Sequence, residues 1–152
     1  MARETLSQDL IVAAPTEAIW PRLIDVTTVA SWLPILHHVT ERAPLSHYDA
    51  VLQDKVGPFS LKADLAIDVV DVVEGRRIAV RATGEDRQVR SRIVIDAAVD
   101  LVPVDDSSTQ VTASGTYEIT GKVATLGAGT IRTKARKLVD EFCSAASVGL
   151  VA

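Results

Sequence analysis

The chain has 152 residues, 47% of them hydrophobic, 24% charged and only 4% aromatic, with a formal net charge of -4. These values fit one soluble globular domain, residues 1–152, with enough chain to bury a core, and they exclude a general pull on nucleic acid. The single cysteine, Cys143, excludes an intrachain disulfide; no run approaches the roughly 18 apolar residues of a membrane span, and no basic-then-apolar secretory signal opens the chain, so a cytoplasmic location is expected.

Thr5 to Ala13 reads as a first strand. Ala14-Pro15-Thr16-Glu17 starts a helix, with proline at an early position where its missing N–H does no harm. Pro21 should bend or shorten that helix. Asp25 to Ser31 reads as a second short helix, ended by Pro34. Strand patterns dominate from Leu36. Ala50 to Val56 is one strand, closed by Gly57-Pro58. Ser60 to Val73 alternates Leu61, Ala63, Leu65, Ile67 and Val69 against Lys62, Asp64 and Asp68. Glu74-Gly75 turns the chain into a short strand, Arg76 to Thr83, and Gly84 to Gln88 reads as a polar loop. Arg90 to Val102 sets Ile93, Ile95, Ala97, Val99 and Leu101 against Arg92, Asp96 and Asp100. After a turn at Pro103 to Ser108, Thr109 to Thr120 puts Val111, Ala113, Tyr117 and Ile119 on one face.

Gly121 breaks the alternation, and Lys122 to Val148 reads as one amphipathic helix about 40 Å long. Its apolar stripe is graded, from Ala124, Gly127 and Ala128 through Ile131 and Ala135 to Leu138 and Phe142. Such a helix must lie on a sheet, and its thin half leaves space beneath it. One-sided alternation indicates antiparallel strands with one wet face. The expected fold is α+β: a curved antiparallel sheet wrapped around a long C-terminal helix, with two short helices after the first strand. The expected use is a container for an apolar molecule.

Several local motifs carry a resemblance. They are Ala14-Pro15-Thr16-Glu17-Ala18-Ile19-Trp20 with Asp25, Lys55-Val56-Gly57-Pro58, the Leu61 to Val73 strand, Tyr117 through Gly127, and Phe142. Together they resemble the carbon monoxide dehydrogenase G-subunit family of the START-like (SRPBCC, helix-grip) superfamily. Two places depart from the pattern. Pro34 is followed by Ile35-Leu36-His37-His38 where the family places a glycine, and the sequence reaches Ala152 where some members carry a membrane-engaging extension. The resemblance implies a non-catalytic partner of a molybdenum-containing carbon monoxide dehydrogenase or related hydroxylase. Such a partner helps recruit the enzyme to the inner face of the cytoplasmic membrane, or carries a quinone or lipid. No cofactor is implied beyond such a bound molecule.

The candidate lining comprises Trp32, Leu36 and His38 at the mouth. Leu52, Phe59, Leu61, Ala63, Leu65, Ile95, Ala97, Ala113 and Tyr117 follow on the strands, and Gly127, Ile131 and Leu138 on the helix. Arg132, Lys134, Arg136 and Lys137 form a cationic helix face that reads either as solvated surface or as a dock for an acidic partner or anionic lipid. His37, His38 and His47 do not match a zinc spacing, and no nucleophile motif is present, so no metal ligand and no catalytic residue is assigned. Two alternatives stand beside the carrier. One is a polyketide cyclase or aromatase-like enzyme using Tyr117, the mouth histidines or Asp54; the other is a scaffold with a filled core.

Overall fold

Most of the chain pairs with its own neighbour in sequence. In the computed structural model, which describes residues 2–151, six strands run as a meander. They are β2 (Leu36–Ala43), β3 (His47–Val56), β4 (Phe59–Val73), β5 (Arg77–Asp86), β6 (Ser91–Asp105) and β7 (Ser108–Gly121). β1 (Ala2–Val12) pairs with β7, so every contact in the seven-stranded sheet is antiparallel and β1 and β2 are its edges. The helices α1 (Thr16–Leu23) and α2 (Val26–Ala30) carry the chain from one edge to the other. Asp25 caps α2, accepting from the Thr28 hydroxyl at 2.7 Å. The sheet is curved, with register slips at Val69/Asp71 and Pro103/Asp105 of the kind that sharpen twist.

The long helix α3 (Ala128–Gly149) crosses the inner face. It approaches β1 closely, and comes near the other strands only at isolated points. A helix propped on one edge strand leaves a hollow over the rest.

Three expectations about boundaries are corrected. α3 begins at Ala128, not Lys122, and its 22 residues span about 33 Å. Val123–Leu126 forms instead a 3₁₀ turn bracketed by Gly121 and Gly127, whose φ angles of 92° and 90° are closed to a right-handed helix. The turn is pinned from below, since the Val123 N–H donates to the buried Ser91 hydroxyl at 2.9 Å. At Gly121 a Cβ would lie 1.9 Å from the Arg90 carbonyl oxygen, so the site requires glycine twice over. Next, β5 runs on through Asp86, across the segment that reads as a polar loop. Gly84 is there because a Cβ would meet Leu65 and the Asp64 carbonyl of β4, not because the chain turns. The turn comes at Asp86, whose buried carboxylate accepts from the N–H groups of Lys62, Gln88 and Val89. Last, β6 continues to Asp105, leaving only a short turn before β7.

Candidate functional site

Between the sheet and the helices lie two adjoining apolar chambers. The first, of about 210 Å³, is walled by Leu52, Val56, Leu61, Ile93, Ile95, Tyr117 and Ile119 on the strands, roofed by Ile131, Lys134, Ala135, Leu138 and Val139 of α3, and closed at one end by Val123. The second, of about 180 Å³, lies under α2 and is walled by Leu65, Ile67, Ile78, Val80, Ala82, Ala97 and Val99, with Phe142 above. Leu33, Ile35, Leu52 and Ile95 belong to both. These four side chains form a waist between chambers that separately fall below the roughly 300–1,000 Å³ of ordinary ligand pockets and jointly reach it.

Parity explains the lining. Leu61, Leu65, Ile67, Ile93, Ile95 and Ala97 are alternate residues of β4 and β6, all turned to the inner face, and the α3 stripe Ile131, Ala135, Leu138, Phe142 faces them. The small side chains Ala82 and Ala97 form part of the second chamber's wall.

Asp54, Tyr117 and Lys134 stand among the residues lining the first chamber, whose surface is nonetheless almost wholly apolar. Lys134 Nζ lies 3.1 Å from Asp54 Oδ2, with the two side chains 32% and 16% exposed. Tyr117 is half-buried; burial pushes its hydroxyl up, Glu4 adds to that, and Arg132 draws it back. Arg132 is itself paired to Glu4 at 3.6 Å. The Thr116 hydroxyl, nearby, is engaged by Thr5 at 3.1 Å. The second chamber is lined by aliphatic side chains and Phe142.

Of the sequence-predicted lining, Leu52, Leu61, Ile95, Tyr117, Ile131 and Leu138 meet in the first chamber, and Leu36, Leu52, Leu65, Ile95 and Ala97 in the second. The remainder lie off these walls. Gly127 is exposed and outside the helix. Ala63 and Ala113 are buried in packed core. Phe59 rests against that core at the β3–β4 hairpin. His38 is exposed on an irregular stretch of β2, with φ of 53°. Trp32 packs on Phe142, ring centres 5.8 Å apart, and fills the space left by the missing side chain of Gly149. Of the four cations expected on the helix surface, Arg136 and Lys137 are exposed, Arg132 is held by Glu4, and Lys134 pairs with Asp54 beside the first chamber. Leu33 and Ile35 are lining residues that sequence reasoning misses, since the loop that carries them has no period to read.

Cys143 is buried, and burial pushes its thiol up, which makes it a poor nucleophile. Among the described residues no three His, Cys, Asp or Glu side chains are placed to hold a metal ion, and no helix is long and apolar enough to cross a membrane.

A family model for the G subunit of carbon monoxide dehydrogenase (CoxG) matches residues 9–149. No curated protein matches the chain by sequence. Among solved structures, a conserved protein from Geobacillus kaustophilus superposes with a TM-score of 0.83 at 21% identity, covering 97% of this chain and 95% of that one. A START superfamily protein from Mycobacterium smegmatis gives 0.68 at 14%, covering 94% of each chain. The Zhui aromatase/cyclase from Streptomyces sp. R1128 gives 0.64 at 16%, covering 97% and 91%. These likenesses identify the fold as helix-grip, START-like.

Proposed function

We propose, from the premise that the chain belongs to the carbon monoxide dehydrogenase CoxG family, that it is a non-catalytic accessory protein that holds an apolar molecule. An isoprenoid quinone or a lipid suits the site. The observation that carries this reading is the two-chamber hollow. A protein of this size with that much unfilled apolar wall gives up packing, and an apolar guest restores it at about 25 cal/mol per Å² of surface removed from water. The partner is a molybdenum-containing carbon monoxide dehydrogenase or related hydroxylase, with Arg136 and Lys137 on the outer face of α3 as the docking cations for that enzyme or for anionic head groups.

The test is native mass spectrometry of the purified chain, followed by titration with a quinone and a phospholipid. A bound mass, or uptake of either, supports the reading; a chain that arrives empty and takes up neither overturns it. An enzymatic reading draws on Tyr117, Lys134 and Asp54, which stand together at the first chamber and provide groups able to move a proton. Cyclisation of an added polyketide, lost in Tyr117→Phe, would favour that second reading.

A further inference from the structure

The two edges of the sheet are unlike. β2 is irregular: its register with β3 slips twice in 8 residues, and His38 stands at a φ of 53°. Breaks of that kind keep an edge from pairing with another chain. β1 has none. Its 11 residues keep one unbroken register with β7, contain no proline, and have no strand on their far side among the described residues. In an antiparallel strand every second residue turns its N–H and C=O away from its partner, so β1 presents a row of backbone groups to pair with. A groove of about 430 Å³ follows that side. Thr5 to Gln8 of β1 and Arg132, Arg136 and Asp140 of α3 line it, and no residue of β7 does.

We infer that β1 is a docking edge for a second copy of this chain, joined antiparallel about a two-fold axis at Leu6. The charge pattern selects that occupant and that register. Arg3, Thr5, Ser7 and Asp9 are alternate residues on the outer face. With Leu6 on the axis, Arg3 of each copy stands against Asp9 of the other and Thr5 against Ser7, so both charged pairs are of opposite sign. A register centred on Thr5 would set Arg3 against Ser7, and one centred on Ser7 would set Asp9 against Thr5; both lose the ion pairs. Asp9 can keep its hydrogen bond from the Thr112 hydroxyl, at 2.7 Å, because a carboxylate accepts several. The helix follows the same reversal. Arg132, Arg136 and Asp140 succeed one another along one face of α3, and the axis runs the two helices antiparallel, basic start against acidic end. Each copy brings Arg132 and Arg136 to this side together with Glu4, which Arg132 holds at 3.6 Å, and Asp140. The junction is neutral, and a strongly acidic or basic peptide gains nothing there over a second copy. It stands apart from the hollow, but Arg136 within it would no longer be free to dock an enzyme.

Sedimentation velocity of the full chain across a concentration series reads the junction, and wild type should show a monomer–dimer equilibrium. Arg3→Asp alone sets like charges at both outer pairs, and so does Asp9→Arg alone. Each should weaken self-association about tenfold or more. Mixed together, the two variants meet opposite charges at both positions and should recover the wild-type affinity as a heterodimer. Both positions are exposed, so melting temperatures should stay close to that of wild type. Amide hydrogen exchange of wild type needs no variant: alternate amides of β1 should exchange more slowly as concentration rises, and those of β2 should not change. If a variant fails to fold, the exchange result decides. A chain that stays monomeric, a dimer indifferent to the swaps, or one that protects β2 in place of β1 overturns the inference.

Discussion

Two rows of residues cross the sheet one register position apart. The outer row runs His47, Asp68, Arg81, Asp96, Thr116, Thr5, each the direct partner of the next. The inner row runs Tyr48, Ile67, Ala82, Ile95, Tyr117, Glu4. On the outer face the side chains pair as they cross: His47 with Asp68 at 2.8 Å, Arg81 with Asp96 at 3.6 Å, Thr5 with Thr116 at 3.1 Å. On the inner face Ile67, Ala82 and Ile95 line the second chamber, and Ile95 and Tyr117 the first. The backbone is the same; only the side that meets water differs. Exposed pairs in water are individually worth little, so the outer row tolerates change. The inner row is buried from Tyr48 through Ala82, so a charge placed there must be matched, as Glu4 at the row's more exposed end is by Arg132.

A charge moved from one row to the other should show the contrast at its largest. Ala82 is 7% exposed and bounds the second chamber. Ala82→Asp places an unpaired carboxylate there and should destabilise the fold by about 3 kcal/mol or more. Asp96→Ala, in the outer row, should change it by no more than about 0.5 kcal/mol. Urea unfolding of both variants reads the difference. Comparable losses would mean the chamber is wet, and the distinction between the rows would fail.

A subtler change alters the hollow without adding charge. Ala97→Leu points three more carbons into the second chamber. Stability should hold within about 1 kcal/mol, because empty volume is filled rather than an existing contact displaced. Uptake of a long-tailed quinone should fall about tenfold, while a short quinone seated in the first chamber is unaffected. Equal losses for long and short guests would show that the waist does not divide the space.

This division also explains how far the sequence can be read. Alternation in Ser60 to Val73 and Arg90 to Val102 places inner and outer rows correctly, since period two is fixed by the pleat. The stripe Ile131, Ala135, Leu138, Phe142 is equally plain. The reading fails at the helix start. A helical wheel continues smoothly through Gly127, but the chain does not, because the wheel carries no information about φ. The same failure assigns Gly127 to the ligand. The pairing of Lys134 goes unread for a different reason. It sits three residues after Ile131, on the border of the apolar stripe, and a long stem lets its ammonium reach inward to Asp54. The partner lies on β3, about 80 positions earlier, and nothing local links the two. Leu33 and Ile35 escape because a loop's lining is set by tertiary closure alone.

The smallest predicted effect tests whether the outer row is as independent as its exposure implies. His47 is held by Asp68 and, at 3.2 Å, by Asp49. The hydrogen bond to Asp68 is the chief cause that raises its imidazole above the ordinary 6.5; desolvation, the next largest effect, opposes it, and the charges of Asp68 and Asp49 add to the rise. A raised value means the folded protein binds the proton more tightly than the unfolded chain. The stabilisation is therefore full below 6.5 and is lost as pH climbs through the raised value. Asp49 is held low, chiefly by Arg42, so it stays ionised across this window. Wild type should exceed His47→Gln in melting temperature at about pH 5.5 and converge with it by about pH 8.5. Ligand uptake should not change between the two at either pH, because His47 and the chamber walls stand on opposite faces of the sheet. A pH-dependent change in uptake that vanished in His47→Gln would mean the two rows are coupled through the strands, and the separation drawn from their register would not hold.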